Sequence, residues 1–249
     1  MKVIGVIPAR YGSTRLEGKP LKEIAGKPMI QLVYEAAQAA RLLDAIYVAT
    51  DDERIVAAVE QFGGQVRMTA ADHKTGTDRI AEVAAAVDAE IVVNIQGDEP
   101  LVNPAMIDEM IQPLLDEPEL PMSTLCVPIQ AEEELADPNA VKVVFDQNGY
   151  ALYFSRSLIP YPRKRENFQA YEHLGLYAYR KAFLMTYVTL PQSRLEINES
   201  LEQLRVLEAG YRLKVVVSAH PYDGVSVDTP EDLDRVRRIV QARLISALG

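Results

Sequence analysis

The sequence predicts an α/β fold: a mainly parallel central sheet with helices on both faces and a smaller inserted α+β subregion near residues 120–210. Three observations predict it. Short, wholly apolar runs at 3–7, 45–49 and 90–95 alternate with stretches of helical periodicity, the pattern of parallel strands buried on both faces. After about residue 120 the alternation gives way to closely spaced strand-like runs with a hairpin signal. No Gly/Ser linker, low-complexity tract or internal repeat interrupts the 249 residues, which therefore read as one domain, 1–249.

Taken in order, residues 3–7 (Val-Ile-Gly-Val-Ile) form a buried strand, and a loop runs on through Lys19. A helix over 29–42 carries Ile30, Val33, Tyr34, Ala37 and Arg41 near 3.6-residue spacing. The strand 45–49 leads to a helix through Phe62, with Asp51 and Asp52 as cap candidates and Gly63-Gly64 as its stop. A helix over 77–87 and a buried strand over 90–95 follow. Strands over 141–145 and 150–154 flank Asp146-Gln147-Asn148-Gly149, whose Asn-Gly is a strong hairpin signal. Further strands fall at 174–179 and 213–217, with helices at 181–187 and 200–209. The last helix, 230–248, has Pro at its start and Asp228 or Thr229 to cap it.

Composition narrows the function. Hydrophobic residues at 48% and charged residues at 25% are those of an ordinary globular chain able to bury a large core. A net charge of −10 argues against nucleic acid or an anionic membrane surface as partner. No run approaches the roughly 20 apolar residues of a membrane span, and the apolar N-terminal run is too short for a signal peptide. The single cysteine, Cys126, excludes an intramolecular disulfide framework and reads as a small buried hydrophobe, compatible with the cytoplasm. Three dispersed histidines and one cysteine give no zinc-ligand pattern.

The loop Pro8-Ala9-Arg10-Tyr11-Gly12-Ser13-Thr14-Arg15-Leu16-Glu17-Gly18-Lys19-Pro20 carries the strongest chemical signal. It follows the first strand, so a ligand there would sit at the strand's carboxyl end, where open α/β sheets bind ligands. Arg10, Arg15 and Lys19 bring three cations together, and two glycines let backbone amides approach, which suits a triphosphate better than an ordinary surface loop. Neither the P-loop nor the dinucleotide fingerprint occurs. Two acids stand in comparable positions: Asp98 just beyond the strand 90–95, and Asp228 between an apolar run and the last helix. As hard oxygen ligands they suit Mg²⁺ carried by phosphates. Asp98 could instead close a turn, and Asp228 could cap its helix.

Here the chain resembles a known family, the 3-deoxy-manno-octulosonate cytidylyltransferases, or CMP-Kdo synthetases. The likeness lies in Ile7-Pro8-Ala9-Arg10-Tyr11-Gly12-Ser13-Thr14-Arg15-Leu16, Gly18-Lys19-Pro20-Leu21 and Gly26-Lys27-Pro28-Met29-Ile30. It continues through Ala49-Thr50-Asp51, Thr75-Gly76-Thr77-Asp78-Arg79 and Gln96-Gly97-Asp98-Glu99-Pro100. It returns at Ala151-Leu152-Tyr153-Phe154-Ser155-Arg156, His173-Leu174-Gly175, Leu201-Glu202-Gln203-Leu204-Arg205 and Asp228-Thr229-Pro230-Glu231-Asp232, so nearly the whole chain takes part.

The resemblance implies a Rossmann-like central sheet of the nucleotide-diphospho-sugar transferase type. It implies transfer of CMP from CTP to the anomeric hydroxyl of 3-deoxy-D-manno-octulosonate (Kdo), with release of pyrophosphate, for lipopolysaccharide synthesis in the cytoplasm. Arg10, Lys19, Asp98 and Asp228 would be catalytic, and Asp98 and Asp228 would hold Mg²⁺. CTP would be bound by Ala9, Arg10, Ser13, Arg15, Lys19, Thr75, Gly76, Thr77, Arg79 and Gln96. Kdo would be bound by Arg156, Arg163, His173, Tyr177, Glu202 and Gln203, with Arg165 an alternative to Arg163. A homodimer joined through the 120–210 subregion is also implied. The residue types leave other readings open: Thr75 or Thr77 as helix cap, Arg79 paired with an acid, and His173 as a satisfied core histidine. The competing functions are a cytidylyltransferase for another acidic sugar, 8-amino-Kdo or a sialic acid, and a catalytically silent nucleotide-binding protein.

Overall fold

The computed structural model describes residues 1–12, 15–222 and 224–248. Among them the chain forms two compact units, one of residues 1–108 and 222–249, the other of residues 109–221.

In the first unit, β1 (Val3–Pro8) leads into a 3-10 turn (Lys19–Leu21) and the small hairpin β2 (Glu23–Ile24) and β3 (Lys27–Pro28). Then follow α1 (Met29–Gln38), β4 (Ala45–Thr50), α2 (Glu53–Gln61), β5 (Val66–Met68), α3 (Gly76–Ala86), β6 (Ile91–Asn94) and the start of α4 (Pro104–Asp116). The strands lie in the order β6-β1-β4-β5, all parallel. The chain thus moves outward from β1 to β5 and returns to the other side of β1 with β6. A reversal of this kind opens a crevice at the carboxyl ends of the two strands that flank it. Ile4, Val6, Ile7, Val48, Ile91, Val92 and Val93 are fully or almost fully buried, as continuous apolar strands covered on both faces require.

The second unit takes in the end of α4 and then β7 (Met122–Pro128), α5 (Glu132–Ala136), β8 (Lys142–Phe145), β9 (Ala151–Ser155) and β10 (Tyr171–Arg180). It continues with α6 (Lys181–Tyr187), α7 (Arg194–Glu199), α8 (Gln203–Glu208) and β11 (Lys214–Val217). Its sheet is mixed: β11 runs parallel to β7, which is antiparallel to β10, and β8 pairs antiparallel with both β10 and β9. The β8–β9 hairpin turns where Asn-Gly predicts it. Gly149 takes φ +79°, and the Asp146 carboxylate accepts the amides of Asn148 and Tyr150. The chain then returns to the first unit for α9 (Pro230–Leu248).

The α/β class and most elements agree with the sequence. Two helices are shorter than their periodicity suggests, for identifiable reasons. The helix predicted over 29–42 ends at Gln38: the amides of Ala39 and Ala40 turn back to the carbonyls of Ala36 and Ala37, and the Asp108 carboxylate captures those that follow, of Arg41 (3.1 Å) and Leu42 (2.9 Å). The helix predicted over 200–209 begins at Gln203, because Ser200 adopts φ +52° and ends α7 instead. Cys126 is buried and its thiol is pushed up to about 12 by that burial, so it is a packing residue. Among the described residues no helix is long and apolar enough to cross a membrane.

Candidate active site

A cleft of about 390 Å³ opens at the carboxyl ends of β1 and β6. Pro8, Ala9, Arg10, Gly12, Arg15 and Lys19 line it from the loop after β1, and Gln96, Gly97 and Asp98 from the segment after β6. His73, Thr75, Gly76 and Arg79 come from the entry to α3, and Asp228 from the entry to α9. Four cations face two carboxylates there, a local positive excess in an acidic protein and the balance that a polyphosphate needs.

The loop is held from both sides. Leu16 is buried with Ile24, Met29, Val225, Val227, Leu233 and Val236, which anchors the stretch between Arg15 and Lys19 under α9. The guanidinium of Arg54 stacks on the Tyr11 ring, 3.3 Å from its centroid, while Asp52 grips the same guanidinium. Gly18 takes φ +65° with its α-carbon against the Tyr11 ring, so a side chain there would be strained and crowded. At Gly97 a β-carbon would lie 2.6 Å from the Pro8 carbonyl oxygen, so the segment after β6 can approach the end of β1 this closely only because the residue is glycine.

The two acids meet on one ammonium. Lys19 Nζ lies 2.8 Å from Asp98 Oδ2 and 3.2 Å from Asp228 Oδ1, and an Arg15 guanidinium nitrogen lies 3.0 Å from the same Asp228 oxygen. The lysine and the two acids are partly shielded, Lys19 being 16% exposed and Asp98 and Asp228 26% and 35%, while the Arg15 side chain is exposed. Asp228 is not the cap of α9. Thr229 caps α9, since its hydroxyl accepts the Asp232 amide and Asp232 reaches back to the Thr229 amide. The Asp228 carboxylate is left to the cleft. Among the described residues no third Asp, Glu, His or Cys joins the pair to make a protein-only metal cluster. Two converging carboxylates fit a hard divalent cation that takes its other ligands from phosphates and water.

On the opposite wall, Thr75 caps α3 in a capping box with Asp78, so one of the bland readings from sequence is realised. Arg79 is buried and donates to Asp51 at 2.9 Å and to Thr69, which ties the ends of β4 and β5 to α3. Thr77 is buried in α3 and is not among the lining residues. Ser13 lies outside the described residues. Gly12, one of the two glycines of the basic loop, lines the cleft, as does His73, which the sequence alone does not mark. His73 is paired with Glu82, whose carboxyl lies below the usual range because it accepts from the Ala70 amide and from His73.

The sugar candidates lie in the second unit, and three of them form one cluster. His173 is buried, packed edge-on to Phe154 with centroids 4.8 Å apart and beside Tyr177 at 5.5 Å. Gln203 places its amide nitrogen 3.4 Å from His173 Nδ1 and accepts from the Tyr177 hydroxyl at 3.1 Å. Thr124, which the sequence did not single out, completes the cluster 2.9 Å from His173 Nε2. Burial pushes the His173 pKa down to about 3, so the ring is neutral and serves neither as cation nor as proton carrier. Glu202 follows in sequence and is half-buried. Arg156 is engaged elsewhere, its guanidinium donating to the carbonyls of Glu199 (2.7 Å) and Pro138 (2.9 Å), and so clamps the entry to α8. Arg163 is exposed on the loop after β9, and Arg165 there pairs with Glu132 at 2.7 Å.

The cytidylyltransferase family model matches residues 4–215. The 3-deoxy-manno-octulosonate cytidylyltransferase of Solibacter usitatus is 53% identical over 249 residues, covering 100% of this chain and 98% of that protein. That of Geobacter sulfurreducens is 53% identical over 247 residues, covering 95% and 98%. A solved structure of CMP:2-keto-3-deoxy-manno-octonic acid synthetase complexed with CTP superposes with a TM-score of 0.93 at 48% identity, over 98% of this chain and 100% of that one. A 4-diphosphocytidyl-2C-methyl-D-erythritol synthase from Anaerococcus prevotii shares the fold, with a TM-score of 0.61 at 16% identity over 96% and 99%. With a basic loop, two acids and a lysine gathered at the switch point of a parallel sheet, and relatives matching from end to end, the chain belongs to the 3-deoxy-manno-octulosonate cytidylyltransferase family.

Proposed function

We propose that this chain transfers CMP from CTP to the anomeric hydroxyl of 3-deoxy-D-manno-octulosonate, giving CMP-Kdo and pyrophosphate for lipopolysaccharide synthesis. The observation that carries the reading is the meeting of Lys19 and Arg15 with Asp98 and Asp228 in the cleft at the ends of β1 and β6. Both substrates are anions, so charge neutralisation and positioning supply most of the catalysis. Arg10, Arg15 and Lys19 bind the phosphates and stabilise the charge that grows on the leaving pyrophosphate. Ala9, Gly76 and Gln96 surround the nucleotide, and Arg79, fixed by Asp51, holds that wall in place.

Asp98 and Asp228 would hold Mg²⁺, which when bound polarises the α-phosphate toward attack. The Lys19 ammonium pairs with both carboxylates and so keeps them converged. The attacking hydroxyl belongs to the sugar, and the bond formed is from its oxygen to the α-phosphorus as the α–β phosphoanhydride breaks. His173, Tyr177, Glu202 and Gln203 bind the sugar's hydroxyls, and Arg163 is the remaining cation for its carboxylate. The cytoplasm, where nucleotide and sugar acid are both at hand, and a homodimer complete the reading.

The test is pyrophosphate release from CTP and Mg²⁺ with Kdo, 8-amino-Kdo or a sialic acid as the sole acceptor. The proposal predicts the highest kcat/KM with Kdo. A higher value with either analogue would reassign the acceptor, and no release with any of the three would make the chain a binding protein.

A further inference from the structure

Strand β10 carries an irregularity that shapes the sugar cluster. Leu174 pairs with Leu125 but the next pair along β7 is Tyr177 with Thr124, so two extra residues bulge out of β10. Gly175, exposed with open space around its α-carbon, sits in that bulge. The bulge brings His173 and Tyr177 side by side and delivers two carbonyls to one hydroxyl. Thr124 Oγ1 lies 2.7 Å from the Leu176 oxygen and 3.3 Å from that of Leu174.

A threonine hydroxyl has a single hydrogen. With that hydrogen given to a carbonyl of β10, the Thr124 oxygen faces His173 Nε2 as an acceptor, at 2.9 Å. Nε2 therefore carries the ring proton and Nδ1 is a lone pair. Nδ1 in turn accepts from the Gln203 amide at 3.4 Å, which turns the Gln203 carbonyl toward the Tyr177 hydroxyl, 3.1 Å away. Each assignment forces the next, and Thr124, Ser123 and Cys126 are all buried on β7, so no solvent competes for the hydroxyl.

We propose that Thr124 is a positioning residue for the sugar-acid site: by holding His173 as the Nε2–H tautomer it fixes the hydrogen-bond polarity of Gln203 and Tyr177. Tyr177 then offers its oxygen only as an acceptor, and Gln203 offers its second amide hydrogen as a donor, so the site reads a sugar hydroxyl by direction as well as by place. This rests on the function proposed above for the binding of an acidic sugar by His173, Tyr177 and Gln203.

The experiment combines ring ¹⁵N NMR of the three histidines with steady-state kinetics for the wild type, Thr124→Val and Thr124→Ser. His173→Gln identifies the His173 signals. The wild-type ring should report a neutral Nε2–H tautomer down to pH 5. Thr124→Val should lose that signature and raise the KM for Kdo about tenfold, the effect of one unsatisfied buried donor, with the KM for CTP within twofold. Thr124→Ser should restore both. A wild-type Nδ1–H tautomer overturns the proposal without any variant, even if Thr124→Val does not fold. So does Thr124→Val with the wild-type tautomer and sugar KM, or with equal losses for CTP and Kdo. Wild-type enzyme that ignores Kdo while keeping the Nε2–H signature overturns the reading of the reaction and, with it, the link to the sugar; Thr124 then fixes a tautomer only.

Discussion

The amide of Val227 donates to the carbonyl of Asp98 at 2.9 Å. This single backbone bond fastens the segment entering α9 to the segment leaving β6, and so brings Asp228 and Asp98 to the same lysine. The pairing is a matter of topology: β6 returns beside β1, and Val227 before α9 packs with Leu233 and Val236 of α9 against Leu16 of the loop after β1.

The two acids should act as one unit. Asp98→Asn and Asp228→Asn should each lower kcat by two to three orders of magnitude, and the double variant should lose little more than either alone. Both should retain the wild-type fold, because Thr229 and Asp232, not Asp228, cap α9. Thr229→Ala, by contrast, should cost about 1 kcal/mol of stability in urea denaturation. Additive losses in the double variant, or destabilisation by Asp228→Asn equal to that of Thr229→Ala, would contradict this assignment.

Gly97→Ala tests the contact between the two strand ends. A methyl group placed 2.6 Å from the Pro8 carbonyl must push the β1 and β6 segments apart. It should destabilise the protein by roughly 1–3 kcal/mol and lower kcat more than it raises the KM for Kdo. Gly26→Ala, at a site with open space but φ +78°, is a control for backbone strain away from the cleft.

Much of this was readable in the sequence because local chemistry decided it. The buried strands, the Asn-Gly turn, Asp52 as cap and Gly63 as stop need only a few neighbouring residues, and the structure realises each. Arg10, Arg15, Lys19, Asp98 and Asp228 stand out in the sequence because they fall in loops at strand ends, where such sheets bind ligands, and the structure places all five around one cleft. The Ser193-x-x-Glu196 capping box that starts α7 is a local signal of the same kind. What the sequence could not convey depends on distant partners. The Asp108 carboxylate that shortens α1, the backbone carbonyls that occupy Arg156, and the bulge that brings Thr124 to His173 are set by contacts across the fold.

Burial of His173 makes stability depend on pH with a definite sign. Its folded pKa of about 3 lies below the ordinary histidine value near 6.5, so between these limits the unfolded chain binds a proton that the folded chain does not. Stability therefore falls as pH drops through this window, by up to roughly 1.4 kcal/mol per unit, and the loss ends below about pH 3. Measured by urea denaturation, the wild type should lose roughly 2 kcal/mol from this group between pH 6.5 and 5. His173→Gln should show a pH dependence flatter by that amount. Equal slopes for the two proteins would mean that His173 titrates normally in the folded state.

The central claim is nucleophilic attack by the sugar on the α-phosphorus of CTP in the cleft of Lys19, Asp98 and Asp228. The most direct measurement follows CTP labelled at the α-phosphate or at the γ-phosphate, with Kdo and Mg²⁺. The account predicts that the α label enters CMP-Kdo, that the γ label leaves as pyrophosphate, and that one of each forms per sugar consumed. Label released as inorganic phosphate in the absence of pyrophosphatase, or an α label recovered only as free CMP from the first turnover, would contradict it.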